Sequence, residues 1–110
     1  MIIFDKNLIV NAENTDELEK SRNFSNAMLT CGLSLKSTVT ASSIDDNGFV
    51  YCIQRGFFRH DGKLVLPQEF NVSWTSKAEN IYPYLEAVTL LILSGIPPKE
   101  ISDNLYFDNK

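Results

Sequence analysis

IYPYLEAVTLLILSGIPPKEISDNLYF, residues 81 to 107, is the stretch whose reading decides the fold. From Leu85 onward Glu86, Thr89 and Ser94 are its only polar positions before Gly95, so apolar side chains cover most of the circumference of the predicted helix. Each aliphatic side chain fully buried there contributes roughly 1.5–3 kcal/mol before ordering entropy is subtracted. Gly95 ends that helix, and Pro98 is suited to the first position of a short second one with Ile101 and Leu105 inward. Tyr106 and Phe107 finish as an edge strand or an anchoring tail. A helix apolar nearly all round needs partners on every side. Leu90, Ile92 and Leu93 are therefore either capped by Ile101 and Leu105 or form a homodimer interface.

Working back, Ser76-Lys77-Ala78-Glu79 is a capping box with Pro83 seven residues on. Either a short turn at Ser76 precedes a main helix carrying Pro83 in its first turn, or one helix from Lys77 kinks at Pro83. Before it, Phe70, Val72 and Trp74 alternate, Pro67 interrupts Leu64-Val65-Leu66, and His60-Asp61-Gly62-Lys63 is a tight turn. Phe49 to Phe58 reads as a strand with Gly56 as a bulge or twist point. Asp45-Asp46-Asn47-Gly48 joins it to an alternating strand from Leu33 to Ser42. The prediction is a three-strand antiparallel meander. Asn14 and Glu17 open a helix, and Leu18, Phe24, Ala27, Met28 and Cys31 share one face of it, so an amphipathic helix is expected over residues 15–31 with Gly32 closing it. Met1 to Val10 is one bent strand or a hairpin, so the sheet has three strands, or four if this segment joins it. The expected fold is thus one α+β domain, residues 1–110: an antiparallel meander packed by two main helices, with a short C-terminal helix.

The chain has 110 residues, 44% hydrophobic and 22% charged, a globular balance that one core explains. Its net charge of −4 disfavours nonspecific attraction to nucleic acid or anionic membranes. The acid lies toward the ends: three Lys/Arg against five Asp/Glu in residues 1–32, four against four in 33–76, and three against five in 77–110. Ala87 to Leu93 is the longest apolar run and falls well short of the roughly 20 residues of a bilayer span. With two cysteines, Cys31 and Cys52, and no basic, apolar leader, the expected location is the cytoplasm.

Catalytic chemistry finds little support. The one histidine, His60, lies in a turn with no neighbour in sequence to orient it. Cys31, Cys52 and His60 are too scattered for a zinc site, and the Asp45 loop lacks the glutamate of a calcium loop. The five glycines are dispersed, so no phosphate-cradling loop forms. The expectation is a non-enzyme without metal or cofactor.

Three fragments resemble known families. SGIPPKEISDNL, residues 94–105, resembles the turn and second helix of a LuxR-type helix-turn-helix, which implies DNA reading by a following helix, yet none follows before Lys110. IIFDKNL, NTDEL and NGFVYCI, beginning at Ile2, Asn14 and Asn47, resemble an RNA-recognition motif. That resemblance implies a stacking platform of Phe4, Phe49 and Tyr51, and a sheet face with Tyr51, Arg55, Phe57 and Arg59 as its nucleic-acid contacts. The Gly-aromatic spacing of the second motif is missing, and an extra strand intervenes. Helix, meander and helix is also the order of double-stranded-RNA-binding domains, but Ser-Lys-Ala-Glu-Asn replaces their basic cluster.

The reading these residues favour is a stoichiometric protein binder: an inhibitor, an immunity protein or a phage-encoded antagonist. Its carboxylates, Glu13, Asp16, Glu17 and Glu19 toward the N-terminus and Glu100, Asp103 and Asp108 toward the C-terminus, would meet a basic partner surface. RNA binding through the sheet and an assembly-chaperone role are the alternatives.

Overall fold

The computed structural model describes residues 1–109. It shows a seven-stranded mixed sheet curled into a half-barrel, three short helices and a separate two-stranded arm. In chain order the elements are β1 (Ile2–Phe4), β2 (Asn7–Asn11), α1 (Thr15–Ser21), β3 (Ala27–Cys31), β4 (Val39–Asp45), β5 (Gly48–Ile53), β6 (Phe57–Phe58), β7 (Leu64–Val65), β8 (Gln68–Trp74), α2 (Tyr82–Leu93), α3 (Pro98–Asn104) and β9 (Tyr106–Phe107). The sheet order is β1-β2-β3-β4-β5-β8-β9, while β6 and β7 pair only with each other. The expected meander packed by two main helices is overturned. Its antiparallel run β4-β5-β8 exists, but only as the middle of a larger sheet extended on one side by the parallel pairs β2-β3 and β3-β4 and on the other by the parallel pair β8-β9.

The first departure lies in residues 15–31. The helix starts as predicted, with the Asn14 side chain accepting from Glu17 N at 3.1 Å, but stops at Ser21. The Glu17 carboxylate accepts from Asn11 N at 3.2 Å, further back than a capping box requires. Beyond Ser21 the chain reads Arg-Asn-Phe-Ser-Asn, where Asn and Ser favour local turns over helix. Asn26 Nδ2 donates to Asp5 O at 3.1 Å and ties this loop to the β1-β2 turn. Ala27 to Cys31 then satisfies a period of two, with Leu29 and Cys31 buried in the core. The shared positions Ala27, Met28 and Cys31 fit a helical face equally well, so sequence spacing alone misassigned them.

The second departure is the start of β4 at Val39. Ser34 Oγ accepts from Lys36 N and Ser34 O from Ser37 N, both at 3.1 Å, so a local turn takes the place of extended chain and leaves Leu35 89% exposed. β3 and β4 meet in register only at Cys31↔Val39. Below that pair the hydroxyls of Thr30 and Thr38 stand in for a ladder: Thr30 N donates to Thr38 Oγ1 at 3.1 Å and Thr38 N to Thr30 Oγ1 at 2.8 Å.

The Asp45 turn forms as expected, its carboxylate accepting from Asn47 N at 2.8 Å and Gly48 N at 3.2 Å. β5 ends at Ile53, five residues early. Gln54 N donates to Thr38 O at 2.8 Å, and the Gln54 side chain donates to Ser34 O and Ser37 O, so the chain leaves β8 there and turns at Gly56 into the arm. Pro67 separates the arm from β8.

α2 begins at Tyr82 with Pro83 in its first turn, the first of the two alternatives. It packs on β3 and β4, burying Leu85, Val88, Thr89, Ile92 and Leu93, and α3 packs on β8 through Ile101. Gly95 (φ 106°) ends it as predicted. Of the two alternatives for Leu90, Ile92 and Leu93, the homodimer interface is the one corrected: Ile92 and Leu93 are fully buried in the chain's own core, and Leu90 is half-buried against it. Ile9 faces α2. Leu8 and Val10, by alternation, face the other way, where α1 packs on β2.

Candidate functional site

A cleft of about 750 Å³ opens between the β1-β2 turn, the lower half of β3 and the β6-β7 arm. Strand alternation sets what its walls present. Ala27 N donates to Lys6 O at 2.8 Å and Thr30 N donates to Thr38 Oγ1 on the opposite side, so the N–H and C=O of Met28 point away from β2. Because β4 reaches β3 only at Cys31, no strand of the sheet covers Met28 on that side. In the arm, Arg59 N donates to Lys63 O at 2.9 Å, which makes Phe58↔Leu64 the pair whose backbone groups point outward. The Phe58 carbonyl points at Asn7 Nδ2, 3.5 Å away. Met28, Asn7 and Phe58 all line the cleft.

Its charges are Lys6, Arg55 and Arg59 against Asp5 and Asp61, a local excess of cations in an acidic chain. Arg59 is taken up by Asp61, and that ion pair holds the Asp61 carboxyl down at about 2. Lys6 and Arg55 are exposed and form no ion pair among the described residues. His60 sits at the arm's tip, its amide donating to Leu93 O at 3.0 Å and its ring edge-on to Phe4.

The arm also carries a group of exposed apolar side chains. Phe57 and Val65 anchor it in the core, while Phe58, Leu64 and Leu66 face outward at 60%, 54% and 61% exposure.

The sheet face expected to bind RNA is not assembled. Tyr51 is fully buried beneath α2 with its hydroxyl 2.7 Å from Thr89 Oγ1, Phe49 is buried against Trp74, and Phe57 is buried at the root of the arm. A buried ring has no face on which a base can stack. Arg55, Phe57 and Arg59 do share the cleft, without Tyr51.

The acidic residues fall into two groups, one by α1, which packs on β2, and one by α3, which packs on β8. Several already have partners. Glu13 accepts from Leu33 N, Glu17 from Asn11 N, Glu19 pairs with Arg22, Asp103 with Lys99, and Asp108 accepts from Thr75. Asp16 and Glu100 are exposed and form no ion pair among the described residues.

Deep in the core, burial pushes the Cys31 thiol up to about 12, reinforced by the Glu86 carboxylate and opposed by the Thr89 hydroxyl. Burial likewise raises Tyr51 and, more modestly, Glu86. A thiol held protonated is a packing group rather than a nucleophile. Among the described residues no three His, Cys, Asp or Glu gather to hold a metal, and no helix is long and apolar enough to cross a membrane.

The cleft residues Lys6, Asn7, Met28 and Phe58 escaped sequence reasoning. One signal was available: in a Phe-Phe doublet within a strand, one ring must face outward. Met28 had none while residues 15–31 read as helix. Compared with known proteins, the chain matches no protein-family model and no curated protein.

Proposed function

We propose that this chain is a protein-binding module acting by stoichiometric association, and that the β6-β7 arm is its principal contact. The observation that carries the reading is the outward apolar face of Phe58, Leu64 and Leu66 on a ribbon whose other face is anchored in the core. Contiguous exposed apolar surface of this kind marks interaction sites, and water exclusion over two leucines and a phenylalanine supplies affinity that isolated surface residues do not. The overall charge of −4 favours encounter with a partner that is basic overall, with Asp16 and Glu100 among the exposed carboxylates open to it. The inhibitor, immunity-protein and antagonist roles are particular forms of this reading.

The test is affinity capture from the source cells with the native chain and with the Phe58→Lys/Leu66→Lys variant. A protein retained at fixed stoichiometry by the native chain and lost from an equally stable variant supports the proposal. Recovery of nucleic acid alone, or capture indifferent to the substitutions, overturns it.

A further inference from the structure

The cleft beside the arm has the chemistry of a site for a particular kind of segment. We propose that it binds an extended, acidic peptide segment of a partner protein by strand addition to the open edge of β3. This rests on the reading of the chain as a protein-binding module and names what part of a partner it takes.

Two independent observations converge. The first is backbone polarity. The Met28 N–H and C=O point into the cleft with no strand opposite them, and the outward Phe58 N–H belongs to the facing wall, its carbonyl already meeting Asn7 Nδ2. An extended chain laid between them completes the β3 edge and meets the Phe58 N–H, which a compact ligand or a helix with its hydrogen bonds already made does not do. The second is charge. Lys6 and Arg55, both without ion pairs among the described residues, stand on this one cleft of a chain whose net charge is −4. Asp5 also lines it and Asp61 is taken up by Arg59, so the free side-chain charge left to meet a ligand is positive. Carboxylates at alternate positions of the segment reach these cations, and the apolar side chains between them rest on the exposed faces of Met28 and Phe58. Nucleic acid fits less well, because the cleft's backbone edges pair with another peptide backbone and Tyr51 is absent from its wall.

The experiment uses the full chain as bait for a displayed library of random short peptides, followed by anisotropy and hydrogen-exchange measurements on the peptides selected. The expected result is enrichment of Asp/Glu alternating with apolar residues and slowed exchange of the Met28 amide on binding. Affinity is also expected to drop by about tenfold or more in Lys6→Glu and Arg55→Glu. Both side chains are exposed, so these variants keep the fold. No enrichment over bare resin, enrichment without acidic residues, or affinity indifferent to both reversals overturns the proposal. If the library yields nothing while protein capture still depends on Phe58 and Leu66, strand addition fails and the protein-binding reading stands.

Discussion

Thr89 is the one polar residue on the buried face of α2, and removing its hydroxyl tests whether the half-barrel is held in register by a hydrogen bond or by packing alone. Thr89 Oγ1 donates its hydrogen to Leu85 O at 2.7 Å, so the 2.7 Å contact with Tyr51 must be donated by the phenol. Both residues are fully buried, and no solvent can replace the partner. Thr89→Val strands the Tyr51 hydroxyl, at a cost of about 1–3 kcal/mol. Tyr51→Phe removes the donor while Thr89 keeps its bond to Leu85, and costs about 0.5–1.5 kcal/mol. The double variant has no stranded group, so its loss is expected to be smaller than the sum of the single losses by about 1 kcal/mol. Urea denaturation of the four proteins measures all three differences, and at roughly 4 °C per kcal/mol thermal melts give the same order. If the two substitutions add to within about 0.3–0.5 kcal/mol, or if Thr89→Val is neutral, the coupling argument is wrong.

Two further outcomes follow from the core. Cys31 and Tyr51 are acids whose folded values are raised, so below the unfolded thiol value, about 9, neither makes stability depend on pH. Above it the unfolded chain binds fewer protons than the native one, and stability falls by about 1.4 kcal/mol per pH unit for Cys31 up to about 12, Tyr51 adding its share above about 10. Between pH 9 and 10, where the slope is still building up, equilibrium unfolding is expected to show a loss of about 1 kcal/mol in the native chain that Cys31→Ala lacks; a flat native profile contradicts it. Gly48→Ala places a Cβ 2.1 Å from Val72 O at a φ of +154°, so β5 and β8 must separate there. A loss of at least about 1–3 kcal/mol is expected on denaturant unfolding, and an unchanged midpoint refutes the close approach.

What the sequence revealed was local. The Asp45 turn, the Gly95 stop, Pro98 as a helix start and the strand rich in alternating Phe70, Val72 and Trp74 each depend on residues within a turn or two, and each formed. What it concealed was decided by distant neighbours. Ala27 to Cys31 is extended because β2 pairs with it in parallel along its whole length and β4 joins it at Cys31, which spacing within the segment does not encode. Gln54 breaks the predicted strand through bonds to Ser34, Ser37 and Thr38, nearly twenty positions back. The cleft inherits both failures, since one wall is the misread β3 and the other is the arm released at Gln54. Leu90, Ile92 and Leu93 show the same limit from the other direction: an all-round apolar helix was legible, and so were its two possible covers, but spacing does not encode that the curled sheet would supply most of the surface that receives it.

The meeting of β3 with β4 at a single register position has a consequence for how the molecule comes together and apart. Residues 2–31 form a hairpin, a crossover helix and a parallel strand with their own ladder. Residues 39–107 form a second set with theirs; along the β3-β4 seam the two meet in register at Cys31↔Val39 and through two threonine hydroxyls, and away from it Asn7 Nδ2 meets Phe58 O and Phe4 meets His60. Such a junction separates cooperative folding units, each able to gain or lose structure semi-independently. α2 crosses the seam with contacts to both β3 and β4, so cooperativity between the halves depends on a helix made late in the chain.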